Sequence, residues 1–104
     1  VFFAYTAAKG AVRAMTKSIA LHCQAQGYGI RCNSIHPASI ETPMIQFAEG
    51  RVGQPNDIPS GVLPSGAVGS PRDVADLVLY LASDESRFVN AAEIMIDNGL
   101  IVTP

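Results

Sequence analysis

Tyr5 and Lys9 stand four residues apart in "VFFAYTAAKG", a spacing that sets two side chains on one helix face, one turn apart. A free tyrosine titrates near pH ~10 and is a poor base at neutrality. An ammonium within a few ångströms favours the phenolate, and so does a position near a helix N-terminus, where the macrodipole is positive. A tyrosine tuned in this way can take a proton from an alcohol or give one to a carbonyl oxygen. The lysine keeps further donors for a ligand's hydroxyls. The same spacing also fits a core tyrosine beside a solvated lysine, so the pair has meaning only through the elements around it.

The spacing predicts a helix over 4–26. Tyr5, Ala8, Val12, Met15, Ile19 and His22 recur at intervals of three and four, which marks one apolar stripe. Ala7, Ala11 and Ala14 form a second face of small residues, and close approach there predicts a helix covered on more than one side. Gly10 is a mild cost inside the helix and suits close packing. Gly27 and Gly29 end it. "IRCNSI" (Ile30 to Ile35) reads as a strand between Gly29 and Pro37.

Residues 37–70 carry prolines at 37, 43, 55, 59 and 64 and glycines at 50, 53, 61, 66 and 69. Regular structure does not persist through such punctuation, apart from one short helix near Met44 to Ala48. A loop of this length in a compact domain is typically a lid, a binding loop or disordered. Ser70 as N-cap, Pro71 at the first position and Asp73 in the first turn start a helix over 71–83, with Val74, Leu77, Val78 and Leu81 as its buried stripe. Glu93 to Asp97 is a second strand, and Asn98-Gly99 turns the chain before "LIVTP".

The order helix, strand, long loop, helix, strand is half of an α/β domain. Two strands do not make a self-sufficient sheet, and a parallel sheet is covered on both faces. Further strands are therefore expected from outside these residues. At 104 residues the chain holds at most one domain. It is 48% apolar and only 15% charged, a balance that expects a partner chain or a missing segment against its surface. A net charge of −2 gives no ground for nucleic acid or an anionic membrane as partner. No apolar run reaches the length of a membrane span, and no basic-then-apolar start marks a cleavable signal. Cys23 and Cys32 form no CxxC, and His22 and His36 add no convergent ligand set. The thiols read as reduced groups in a cytoplasmic protein, with metal binding or redox chemistry resting on nothing else.

Tyr5-x-x-x-Lys9, then "NSIHPASIETPM" (Asn33 to Met44), "GSPRDVADLVLYLASDES" (Gly69 to Ser86) and "EIMIDNG" (Glu93 to Gly99) together resemble the C-terminal half of the short-chain dehydrogenase/reductase family. The segments occur in order, with fitting gaps, over nearly the whole chain. Within the family they look most like bacterial enzymes acting on hydroxysteroids or cyclic secondary alcohols.

The resemblance implies an α/β fold, the C-terminal half of a Rossmann-like doubly wound parallel sheet. It also implies an NAD(P)-dependent oxidoreductase that moves a hydride between nicotinamide and a secondary alcohol or ketone. Tyr5 is then the acid/base, and Lys9 assists it and binds the nicotinamide ribose. Pro37, Ala38, Ile40 and Thr42 wrap the nicotinamide, with the Ile40 backbone on its carboxamide and Thr42 near the carboxamide or pyrophosphate. Met44, Ile45 and Phe47 form the substrate loop. The implied cofactor is NAD or NADP. The implied partners are a small alcohol or ketone and a second subunit in a dimer or tetramer, or a complementing N-terminal half.

The family's glycine-rich dinucleotide turn, catalytic serine and relay asparagine are expected upstream of Val1. Three family motifs are altered. Pro-Gly is Pro37-Ala38, Thr-Gly is Asn90-Ala91, and Asp-Gly-Gly is Asp97-Asn98-Gly99. Alanine resists backbone angles that glycine permits, which bears on cofactor fit at residue 38, whereas asparagine accepts positive φ. The alternative is a truncated, non-catalytic relative acting as an oligomerising structural or interaction protein. The remaining polar residues have structural readings: Asn33 in strand hydrogen bonds, His36 at a strand end, Thr42 starting the turn before Pro43, Asp73 as a helix-start charge, and Asp84 and Glu85 at a solvated helix end.

Overall fold

A computed structural model describes residues 3–54, 57–58 and 60–102. Val1, Pro55 and Pro59, and the last two residues of "LIVTP", lie outside the described residues. The elements are α1 (Phe3–Ala25), β1 (Ser34–Pro37), α2 (Pro43–Ala48), α3 (Pro71–Ala82) and β2 (Glu93–Ile96), with short 3-10 turns at Asp84–Ser86 and Leu100–Val102. The strands pair as a two-stranded sheet. Ser34 N donates to Ala92 O at 2.9 Å and Ala38 N to Ile96 O at 3.2 Å. Both chains thus advance together along the ladder, which makes the pairing parallel. The chain forms two compact units, Val1–Ile35 with Tyr80–Ile94, and His36–Leu79 with Met95–Pro104, and each is described by itself.

In the first unit, α1 ends as its glycine requires. Gly27 takes φ +67, Tyr28 N donates to Cys23 O at 3.0 Å, and Gly27 N donates to Gln24 O at 3.2 Å. That pair of bonds is a Schellman closure of the last turn.

The stripe expected to be buried on α1 is not. Tyr5, Val12, Met15 and Ile19 are exposed, as are Ala8 and His22 and the small face Ala7, Ala11, Ala14. The buried residues are Thr16, Ala20 and Cys23. They share a face with Arg13 and Lys17, whose cationic groups both lie 3.6 Å from Glu93 Oε1, and Lys17 Nζ also donates to Ala91 O at 3.2 Å. The helix thus turns toward the start of β2 its face of small buried residues flanked by two cations. Gly10 needs no space there, since a Cβ built on it meets nothing within 4 Å.

The first strand is also displaced from its expected place, starting at Ser34 rather than Ile30. Residues 30–33 find no facing strand, because β2 begins only at Glu93. One backbone bond, Ala91 N to Cys32 O at 2.9 Å, and two asparagine side chains join the stretch to residues 89–92 instead. Asn90 Oδ1 accepts from Cys32 N at 3.0 Å. Asn33 spans from Val89 O, at 3.0 Å, to Ala92 N, also at 3.0 Å, which is the structural part its sequence position suggested.

In the second unit, α3 starts with a reciprocal cap. Ser70 Oγ accepts from Arg72 N at 3.2 Å, and Asp73 Oδ2 accepts from Ser70 N at 2.7 Å. This is the capping-box arrangement with Asp in place of Glu. The expected stripe of α3 is half-buried at Val74, Leu77 and Leu81 and exposed at Val78, and no residue of α3 is fully buried.

Candidate active site

Tyr5 and Lys9 occupy successive turns near the start of α1, and the Lys9 ammonium lies 5.3 Å from the centroid of the Tyr5 ring. That distance is within the range where a cation is attracted by an aromatic face. Tyr5 is 52% exposed, and Lys9 is exposed beside it.

The predicted site residues from Pro37 to Phe47 belong to the second unit. Pro37 ends β1. The positive-φ non-glycine residues among those described are Ala91 and Asn98, so Ala38 occupies the usual region and glycine's freedom is not required there. Asn90-Ala91 is the substitution that forces alanine to φ +56, while Asn98 takes φ +51.

A parallel bridge joins Ile40 to Gly69. Gly69 N donates to Ser39 O at 2.9 Å, and Glu41 N donates to Gly69 O at 2.8 Å. In a parallel bridge of this kind the central residue's own N–H and C=O face the opposite edge, so those of Ile40 point away from Gly69. Space beside the bridge is tight at Gly69: a Cβ there would lie 2.8 Å from Ile40 Cδ1, which would have to shift, and 3.4 Å from Asp73 Oδ2. Ala38, Ser39 and Ile40 line a cleft of about 270 Å³, with Asp73 and the Asp97-Asn98 turn on its other sides.

Thr42 caps α2 with φ −145, its Oγ1 accepting from Ile45 N at 3.4 Å, and Pro43 takes the first helical position. On α2, Met44 is 64% and Phe47 76% exposed, while Ile45 is half-buried.

Residues beyond the sequence-derived set shape this segment. Glu41 receives Gln46 Nε2 at 2.8 Å on one carboxylate oxygen and Arg51 Nη2 at 3.1 Å on the other. Arg51 also binds Glu49, with Nε 2.7 Å from Oε2. The hydrogen bonds to Glu41 and then Glu49 hold the guanidinium above even its high usual range. The one signal in the sequence was an arginine alone among prolines and glycines. Among the described residues no group of three or more His, Cys, Asp or Glu side chains could hold a metal. Cys23 and Cys32 are free thiols. The His22 ring meets the Tyr28 ring edge-on at 5.9 Å. No described helix is long and apolar enough to cross a membrane.

The parallel strand pair, the flanking helices and the Tyr-x-x-x-Lys turn define an α/β, Rossmann-like architecture. Residues 2–101 match the family model described as "Enoyl-(Acyl carrier protein) reductase", and the chain belongs to the short-chain dehydrogenase/reductase family.

Two relatives make the match concrete. The NADP-dependent (R)-specific alcohol dehydrogenase of Lentilactobacillus kefiri is 44% identical over 96 residues, 92% of this chain and 37% of that protein. The 3-beta-hydroxysteroid dehydrogenase of Comamonas testosteroni is 40% identical over 108 residues, 93% of this chain and 39% of that protein. Among solved structures, a short chain dehydrogenase from Mycobacterium paratuberculosis bound to NAD superposes with a TM-score of 0.72 at 33% identity, covering 97% of this chain and 39% of that one. The chain thus spans less than two-fifths of the length of the relatives it matches.

Proposed function

We propose that this chain carries the proton-transfer side of an NAD(P)-dependent oxidoreductase acting on a secondary alcohol or its ketone. The observation that carries the reading is the Lys9 ammonium 5.3 Å from the Tyr5 ring centroid on an exposed helix face. Oxidising a secondary alcohol removes a hydride from carbon and a proton from oxygen. The nicotinamide supplies the hydride acceptor when bound. Tyr5 takes the proton at its phenolate oxygen, and in the reverse direction gives it to the ketone oxygen. Lys9 offers its N–H donors to ribose hydroxyls.

The Ile40 backbone fits a carboxamide, because an N–H and a C=O on one strand edge match an amide's acceptor and donor. Pro37 and Ala38 lead into that edge, and Thr42 closes it by capping α2. Met44, Ile45 and Phe47 form the apolar substrate loop. Either NAD or NADP serves as cofactor. A homo-oligomer or a complementing segment covers exposed apolar residues such as Phe88, 98% exposed. The cytoplasm, a reducing compartment, suits two free thiols.

The test is Tyr5→Phe in the purified protein, with cyclohexanol as probe alcohol and NAD or NADP as oxidant. The ring and its contact with Lys9 are retained and only the hydroxyl is lost. The expected result is a fall in kcat of about 10²–10⁴-fold, with dinucleotide affinity unchanged by fluorescence titration. Full turnover by Tyr5→Phe would overturn the assignment.

A further inference from the structure

Arg51 lies in the proline- and glycine-rich stretch yet is among its best-held side chains, 23% exposed against 9% for its partner Glu41. Its contacts run in two directions. Nη2 reaches back ten residues to Glu41 Oε2 at 3.1 Å, while Nε holds Glu49 Oε2 at 2.7 Å and Nη1 donates to Gln54 O. Its backbone N donates to Gln46 O at 2.6 Å. Gln46 repeats the pattern, with Nε2 on Glu41 Oε1 at 2.8 Å and Oε1 accepting from Gly53 N at 3.3 Å. Both carboxylate oxygens of Glu41 are therefore tied to the segment that follows Thr42. Glu41 sits between Ile40 and Thr42, and its own N–H is fixed to Gly69 O at 2.8 Å.

We propose that Arg51 is a positioning residue which, through Glu41, locks α2 and residues 49–54 onto the Ile40–Thr42 segment and so sets how the substrate loop closes. The inference rests on the oxidoreductase reading for its functional consequence, but not for the coupling itself. A guanidinium suits this role because its planar fork engages two carboxylates at once, whereas a lysine presents one point charge. Met44 and Phe47, the exposed apolar residues of α2, then inherit their position from a salt bridge rather than from a packed core. The backbone of Glu41 stays anchored by Gly69 when Arg51 is removed. Loss of Arg51 therefore loosens the substrate side more than the cofactor side.

The experiment compares wild type, Arg51→Ala, Arg51→Lys and Tyr5→Phe by amide hydrogen exchange and by steady-state kinetics with cyclohexanol. Arg51→Ala is expected to speed exchange of amides 46–53 about tenfold while α1 amides keep their protection. Its KM for the alcohol should rise about fivefold, with kcat and dinucleotide affinity within about twofold of wild type. Arg51→Lys should restore part of both effects, and Tyr5→Phe should leave exchange of 46–53 unchanged. Unchanged exchange in Arg51→Ala overturns the coupling. So does exchange that rises equally in α1, and so does a fall in kcat at constant KM. If the wild-type protein turns over no alcohol, the oxidoreductase reading fails while the exchange pattern alone still decides the coupling.

Discussion

Replacing Arg31 by Met should weaken the fold by a bounded amount, and the bound can be worked from its partners. The guanidinium donates to Val89 O at 3.2 Å, Leu81 O at 2.8 Å and Ser83 O at 3.1 Å. It thereby gathers the end of α3 and the approach to β2 onto the residues before β1. None of these carbonyls is orphaned by the change. Val89 O keeps Asn33 Nδ2 at 3.0 Å. Leu81 O and Ser83 O keep Ser86 Oγ at 3.0 and 3.1 Å, and Ser86 is 1% exposed. The expected loss is therefore one charged donor's share, about 1.5–3 kcal/mol in total rather than per bond. Ser86→Ala alone should cost about 1 kcal/mol, because Arg31 still serves both carbonyls. The double variant removes both side-chain donors from Leu81 O, while Ser83 O keeps Ser86 N at 3.3 Å. Its cost should exceed the sum of the singles by about 1 kcal/mol. Urea unfolding reads this as midpoint shifts at constant slope. Additivity of the two changes within about 0.3 kcal/mol, or an Arg31→Met variant as stable as wild type, would refute the reasoning.

Ala91→Gly should stabilise the protein. Alanine at φ +56 carries a left-handed cost of about 1–2 kcal/mol, partly offset by glycine's freer unfolded chain, which leaves a net gain of about 0.5 kcal/mol, read as a higher urea midpoint. Gly69→Ala should destabilise by about 1 kcal/mol through overpacking against Ile40 Cδ1. Adding Ile40→Val, which deletes that methyl, should recover most of the loss; a double variant no better than Gly69→Ala would place the strain elsewhere. Tyr5→Phe should abolish most alcohol turnover while the protein stays folded, checked by thermal unfolding of the same preparation.

Much of the local structure was legible because its causes are local. The cap at Ser70, the stop at Gly27 and the turn at Asn98-Gly99 each follow from a side chain or a backbone freedom within a few residues. The Tyr5–Lys9 contact follows from helix pitch alone. The buried face of α1 was missed because periodicity marks faces that can be buried without saying which one meets a neighbour. Thr16, Ala20 and Cys23 are small or mildly polar, yet they lie beside the cations that Glu93 holds. The start of β1 was missed for the same kind of reason. Residues 30–33 are extended by composition, but a ladder needs a facing strand, and here Asn33 and Asn90 side chains join a single backbone bond from Ala91 N to Cys32 O.

By itself the sequence determined the element order, the cap of α3 and the pairing of a tyrosine with a lysine one turn away. These depend on interactions spanning a few residues. Only the tertiary structure decided that a side chain at Gly69 would crowd Ile40 Cδ1, and that Arg51 reaches Glu41 ten residues earlier. Both are contacts between segments that propensity treats as independent. Their geometry is fixed only when the folded chain brings the two segments within bonding distance.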